Sequence, residues 1–182
     1  IGVYVDATAT LGGMPFEVDK WCLDAVTAGL QKCLSGPPGS SPLTINDRVA
    51  EIVNARKHVE VGIRPEDFSD ADGLIVQSNY FDLAMLMDYW SSNKRLNHHT
   101  EATNMLYAAR ECARVVLSEG LIEGIERHRL ANGALRAGLE AMGLNLFGDA
   151  AHRMENITGV FIPQNVDGDL IRSEMLLEFG IE

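Results

Sequence analysis

Basic residues are scarce in this sequence: 15 Lys and Arg stand against 26 Asp and Glu, for a formal net charge of −11. That balance argues against a nucleic-acid partner, because neutralising phosphates needs clustered cations. No apolar run reaches the ~20 residues that cross a bilayer, so no membrane partner is expected. The three cysteines, Cys22, Cys33 and Cys112, are widely spaced and form no CxxC pair. A zinc site is therefore not expected, and a reduced, cytoplasmic protein is the simplest reading. Internal repeats and low-complexity tracts are lacking. So are a starting Met and a signal peptide. The chain opens on IGVYVDATA, an apolar run of core-strand character, and stops at LLEFGIE without a boundary signal. It reads as a fragment of a longer chain.

What is present is globular in composition, with 46% hydrophobic and 23% charged residues. Residues 1–5 read as a buried strand, 17–21 as a short helix, and LDAVTAGL (23–30) as a second buried strand. The Gly- and Pro-rich segment QKCLSGPPGSSP follows as a loop. Residues 46–56 read as a helix capped by Asn46. SNYFDLAMLMDYW (78–90) reads as a mostly buried helix that Ser78 would cap, while 57–79 resists placement. In a helix over 100–119, Met105, Ala109, Cys112 and Val116 share one face, and Glu111, Arg114 and Ser118 another. Gly120 would stop it. A second long helix over 121–142 should turn Leu121, Ile125, Leu135, Leu139 and Met142 inward, weakened by Gly133 and Gly138. LNLF and ITGVFIP read as strands, and 167–180 as a closing helix with Asp167 or Asp169 at its start. The style changes from α/β to helix-rich, which suggests two domains, 1–110 and 111–182.

Lys32 follows a buried strand and precedes a Gly-Pro loop. Burial disfavours the charged ammonium, and the free amine is the nucleophile that a Schiff-base lysine needs. From position alone a snorkelling surface lysine is the commoner reading. Asp6 ends the first strand, 26 residues earlier. A carboxylate there needs a partner. A pyridinium nitrogen would serve, and keeping that nitrogen protonated makes the ring an electron sink. Taken alone, Asp6 reads more simply as a turn or cap residue.

Together the two strand ends carry a resemblance. VDATATLGG with GLQKCLSGPPG resembles the cofactor segment of class V pyridoxal-phosphate (PLP) aminotransferases, the alanine/serine–glyoxylate family. RLNHHTEAT resembles its HHT segment, LIEGIERHRLANGALRAGLEAMGL its RHR helix, and ITGVFIP with LIRSEMLLEFGIE its small domain. The likeness thus runs over nearly the whole chain. It implies the aspartate-aminotransferase-like, type I fold, a large α/β domain plus a small α+β domain. It implies PLP as cofactor, Lys32 as the lysine that carries it, and Asp6 on the pyridine nitrogen. It also implies Gln31 at the phosphate, Thr10 near the ring, and Thr100 reaching the phosphate of a partner subunit's cofactor. A homodimer with a shared site follows from the last. Thr100 also reads as a helix N-cap, and Gln31 as a surface residue.

Asn97 stands where the alanine–glyoxylate enzymes have Tyr. In that respect, and in GGMPFEVDKW and GLQKCL, the chain resembles the (S)-ureidoglycine–glyoxylate branch of purine breakdown. A primary amide offers two donors and an acceptor that complement a ureido group. The resemblance implies a small amino donor and an oxo acid, glyoxylate, as substrates. Alternatives are an alanine or serine donor, or an inactive fragment. The phosphate loop, ring-stacking aromatic and substrate-carboxylate Arg of the family have no counterpart in this chain. Cysteine desulfurases share the general fold but carry His where Gln31 stands, which argues against that chemistry. His98 and His99 are adjacent and should point apart, so metal binding is not expected.

Overall fold

The computed structural model describes residues 2–57, 66, 78–90 and 97–182. Most of 57–79, which defied placement by sequence, lies outside the described residues.

Three short strands form one sheet in the order β1-β2-β3: β1 (Tyr4–Asp6), β2 (Ala25–Thr27) and β3 (Leu43–Ile45). Branched residues at Val5, Val26, Thr27, Thr44 and Ile45 suit the pleated surface. β1 and β2 run parallel, with Asp6 opposite Thr27, and β2 and β3 run antiparallel. A parallel pair needs a long crossover, which residues 7–24 provide. Ala7, Val26 and Ala28 are buried at the centre, with Leu11, Phe16, Val18 and Leu23 packed against them.

The strands are shorter than expected. LDAVTAGL pairs as a strand only at Ala25–Thr27: the next residue in register, Ala28, donates its N–H to the Pro42 carbonyl at 3.0 Å, and Pro42 has no N–H with which to continue the ladder. The first strand is not fully buried: Tyr4 is 62% exposed on an edge strand. Residues 17–21 form turns rather than a helix, with Cys22 at φ 51° reversing the chain. β3 falls at 43–45, between the expected loop and helix, where no element was expected.

Asp24 binds the start of the sheet together. Its carboxylate accepts the Val3 N–H at 2.7 Å, the Asn46 amide at 2.7 Å and the Arg48 guanidinium at 2.5 Å. The Val3 N–H first, then Arg48 and Asn46, hold this carboxyl far below the usual carboxylate range. Asn46 in turn caps α1 (Asp47–Ala55), accepting the Val49 N–H at 3.0 Å, as expected.

α2 spans Leu83–Trp90 and starts later than the sequence suggests. Buried Asp82 caps it, accepting from Ala84 N at 3.0 Å and Met85 N at 3.2 Å. Ser78 instead accepts from Phe81 N, one turn earlier. α3 (Thr103–Glu119) turns Cys112 inward and leaves Glu111, Arg114 and Ser118 exposed, as its period requires. Gly120, at φ 94°, separates it from α4 (Leu121–Ala141).

α4 presents only part of the expected face: Ile125 and Leu139 are half-buried. Leu121, Leu135 and Met142 are 49%, 54% and 68% exposed, and the buried positions are Gly124 and Asn132. The inner stripe is polar. Asn132 Nδ2 donates to the Glu155 carbonyl at 2.9 Å and Oδ1 accepts from Thr158 Oγ1 at 2.5 Å. Arg136 donates to the Met154 and Ile157 carbonyls. LNLF and ITGVFIP meet only in one bridge, Leu146 with Val160, flanked by the Phe147–Phe161 ring pair at 5.5 Å. α5 (Gly168–Phe179) closes the chain, capped by Asp167 and ended by left-handed Gly180. The chain divides into two compact units, residues 1–11 with 16–115, and 12–15 with 116–182; the division falls inside α3.

Candidate functional site

Because β1 and β2 are parallel, their carboxyl ends lie at one edge of the sheet. In open α/β sheets that edge is where ligands bind. Asp6 is the last residue of β1, and Lys32 follows five positions after the end of β2.

Each strand end is shaped by a tight turn. After β1, Thr10 N and Leu11 N both return to the Ala7 carbonyl, at 3.0 and 2.9 Å. The Asp6 carboxylate accepts the Thr8 hydroxyl and the Thr8 N–H, the latter at 2.9 Å. These bonds, the hydroxyl first, hold its carboxyl below the ordinary carboxylate range, so it stands as an anion. After β2, Leu30 is buried at 1% exposure and its carbonyl accepts Gly36 N at 2.8 Å, while Ser35 N returns to the Lys32 carbonyl at 2.8 Å. Residues 30–36 thus form a small closed loop anchored by Leu30. A Cβ at Gly36 would lie 2.5 Å from Cys112 Sγ, so only glycine lets this loop seat on α3. Cys33 Sγ reaches the Ala9 carbonyl at 3.8 Å, tying the Lys32 loop to the Asp6 loop.

Within this frame Asp6, Gln31 and Lys32 are exposed and Thr10 is half-buried. Lys32 was expected at a buried strand end. It is exposed because Leu30 takes the inward position and the chain turns outward at the next two residues. The Gln31 side chain folds back over Gly29, where a Cβ would clash with its amide. Asp6, Thr10, Gln31 and Lys32 therefore come from two loops that touch.

The HHT segment is built separately in sequence, on residues 78–90. Asn97 and Thr100 are exposed, whereas His98 and His99 are half-buried. His98 Nε2 donates to the Asn79 carbonyl at 2.6 Å, and its Nδ1 meets His99 Nδ1 at 2.7 Å. The adjacent rings were expected to diverge. They meet at 5.0 Å and 90°, because the segment is neither helix nor strand. Thr100 does not cap α3, which begins at Thr103. Thr8, Asp24, Asp82 and Glu101 were missed as structural partners by the sequence reading. Two carry a local signal: Thr8 lies two positions after Asp6, which favours an Asx turn, and Asp82 directly precedes α2 as an N-cap.

The donor set fits a PLP group: an anionic carboxylate for a protonated ring nitrogen, a primary amine, and hydroxyl and amide groups for a phosphate. No family model matches the chain. The chain is 53% identical over 182 residues to (S)-ureidoglycine–glyoxylate transaminase of Bacillus subtilis, covering 98% of this chain and 43% of that one. It is 33% identical over 181 residues to alanine–glyoxylate aminotransferase of Callithrix jacchus, covering 98% and 40%. Its structure resembles crystalline ureidoglycine–glyoxylate aminotransferase of Bacillus subtilis with a TM-score of 0.83 at 51% identity, over 98% of this chain and 42% of that one.

The fold is that of part of a type I, PLP-dependent aminotransferase. Over the residues it has, the chain is similar to ureidoglycine–glyoxylate and alanine–glyoxylate aminotransferases. It spans about two-fifths of the length of the relatives it matches.

Proposed function

We propose that the chain is the lysine-bearing portion of a PLP-dependent aminotransferase that moves an amino group from a small donor, (S)-ureidoglycine, to glyoxylate. One observation carries the proposal. Asp6 ends β1 and Lys32 stands five residues past the end of the adjacent parallel strand β2, where the loops that follow are joined by the Cys33–Ala9 contact. When bound, PLP supplies an electron sink that acidifies the donor's α-carbon.

The chain's residues take the remaining roles. Lys32 Nζ holds the cofactor at rest, then takes and returns the proton at the substrate carbon. The Asp6 anion keeps the ring nitrogen protonated. Gln31 and Thr100 bind phosphate, Thr10 supports the ring, and Asn97 faces the donor's ureido group. Thr100 acts across subunits, in a cytoplasmic homodimer that works in purine breakdown. Residues 1–110 belong to the large domain and 111–182 to the small one.

The activities of the relatives support the donor assignment: the 53%-identical relative is a ureidoglycine–glyoxylate transaminase and the 33%-identical one an alanine–glyoxylate aminotransferase. A site built to hydrogen-bond a substrate's polar groups discriminates strongly against substrates that lack them, by up to ~10⁴-fold. The test is kcat/KM of the intact protein for ureidoglycine, alanine and serine at fixed glyoxylate. Ureidoglycine should be preferred, and Asn97→Tyr should reduce that preference while leaving cofactor absorbance unchanged. Alanine or serine matching ureidoglycine would refute the donor, and no transamination with any donor would refute the activity.

A further inference from the structure

We propose that His98 and His99 are positioning residues: a hydrogen-bonded pair that locks segment 97–100 onto α2 and its approach, and so holds Asn97 and Thr100 outward together. The inference rests on the roles proposed above for those two residues.

Among the described residues the segment has no regular backbone pairing to hold it. Its anchors are side chains, and they belong to the two histidines. A carbonyl only accepts, so the 2.6 Å contact to Asn79 places the His98 proton on Nε2. In neutral His98 the other nitrogen, Nδ1, is then an acceptor, and the 2.7 Å contact requires His99 Nδ1 to donate. One tautomer of each ring satisfies both bonds. The far nitrogen of His99 faces Glu101 Oε2 at 3.4 Å, and the other oxygen of Glu101 accepts from Trp90 Nε1 at 3.3 Å. Hydrogen bonds therefore link Asn79, just before α2, to His98 and His99, and the contact onward to Glu101 and Trp90, the last residue of α2, is attractive when His99 carries a proton on both nitrogens.

Aromatic packing fixes the ring plane. Tyr80 meets His99 edge-on at 5.2 Å, and Tyr89 lies tilted against it at 5.7 Å. Such contacts favour defined geometries beyond the area they bury. With both inner side chains tied, the exposed side chains on either side, Asn97 and Thr100, share one rigid base. A misplacement of about 1 Å at a substrate-positioning group can cost ~10²-fold in rate. The histidines thus act through Asn97 and Thr100 without touching substrate.

The test compares His99→Phe and His99→Asn in the intact protein. Phe keeps the ring between Tyr80 and Tyr89 but loses both nitrogen contacts; Asn retains a donor near Nδ1. Hydrogen exchange of the α2 amides, onto which the segment is locked, should rise about five- to tenfold in His99→Phe, the worth of one or two net hydrogen bonds, with β1–β3 unchanged. The preference for ureidoglycine should fall in parallel, and His99→Asn should recover part of both. Unchanged exchange in His99→Phe, or no recovery in His99→Asn, would overturn the positioning role. Raised exchange, with a donor preference that neither His99→Phe nor Asn97→Tyr moves, would uphold the positioning role and remove the substrate role of Asn97.

Discussion

The two units of the chain are held by different means. In the first, apolar side chains sit behind paired backbone: Ala7, Val26, Ala28 and Leu30 are all buried around a three-stranded sheet. In the second, the buried residues among those described are Gly13, Gly124, Leu146 and Asn132, and a polar clamp from α4 holds residues 154–158. Backbone pairing with apolar burial sets strand ends in place. A clamp of one amide and one guanidinium sets a loop in place while leaving most of its helix uncovered.

The largest effect should follow from Leu30→Ala. Truncating a fully buried leucine costs about 2–5 kcal/mol. Hydrogen exchange should quicken across β2 and β3 and in the Lys32 loop, while the amides of α4 keep their protection. Equal loss in both units would mean that they open together, and the contrast would fail. Asn132→Ala should cost less, about 1–3 kcal/mol, by leaving carbonyls of 154–158 without their donor. Its effect should stay in that loop and in α4. A change confined to the sheet would contradict the clamp.

A smaller effect comes from Asp24, whose carboxyl is held far below the usual range when folded. Its stabilising contribution is present above the unfolded carboxylate value of about 4 and is lost as pH falls through and below it. Denaturant midpoints should be flat from about pH 7 to 5 with respect to this group, then decline below about pH 4. Asp24→Asn should remove that part of the decline, and an unchanged acid slope in the variant would show that the carboxylate does not link β1 to α1.

Much of this was legible in the sequence where the signal is local. Helix periods found α3 and its Cys112 face, and cap residues found the starts of α1 and α5. The two strand-end residues, Asp6 and Lys32, stood out from polarity at the close of apolar runs. Their exposure did not, because it depends on Leu30 turning inward and on Gly36 seating against Cys112, 76 positions away. The inner face of α4 was misread for a related reason. Leucine periodicity marks what can be buried, but Asn132 is buried by carbonyls more than 20 residues downstream, which leave no periodic trace. The meeting of His98 with His99 likewise depends on a segment that is neither helix nor strand.

The central claim is that Lys32 carries the cofactor, and borohydride reduction of the PLP-loaded intact protein tests it most directly. Peptide mapping after reduction should find the pyridoxyl label on Lys32 in the GLQKCL peptide. A label on Lys20, which pairs with Glu17 at 2.8 Å, or on Lys57, which pairs with Asp88, with Lys32 left unmodified, would contradict the account.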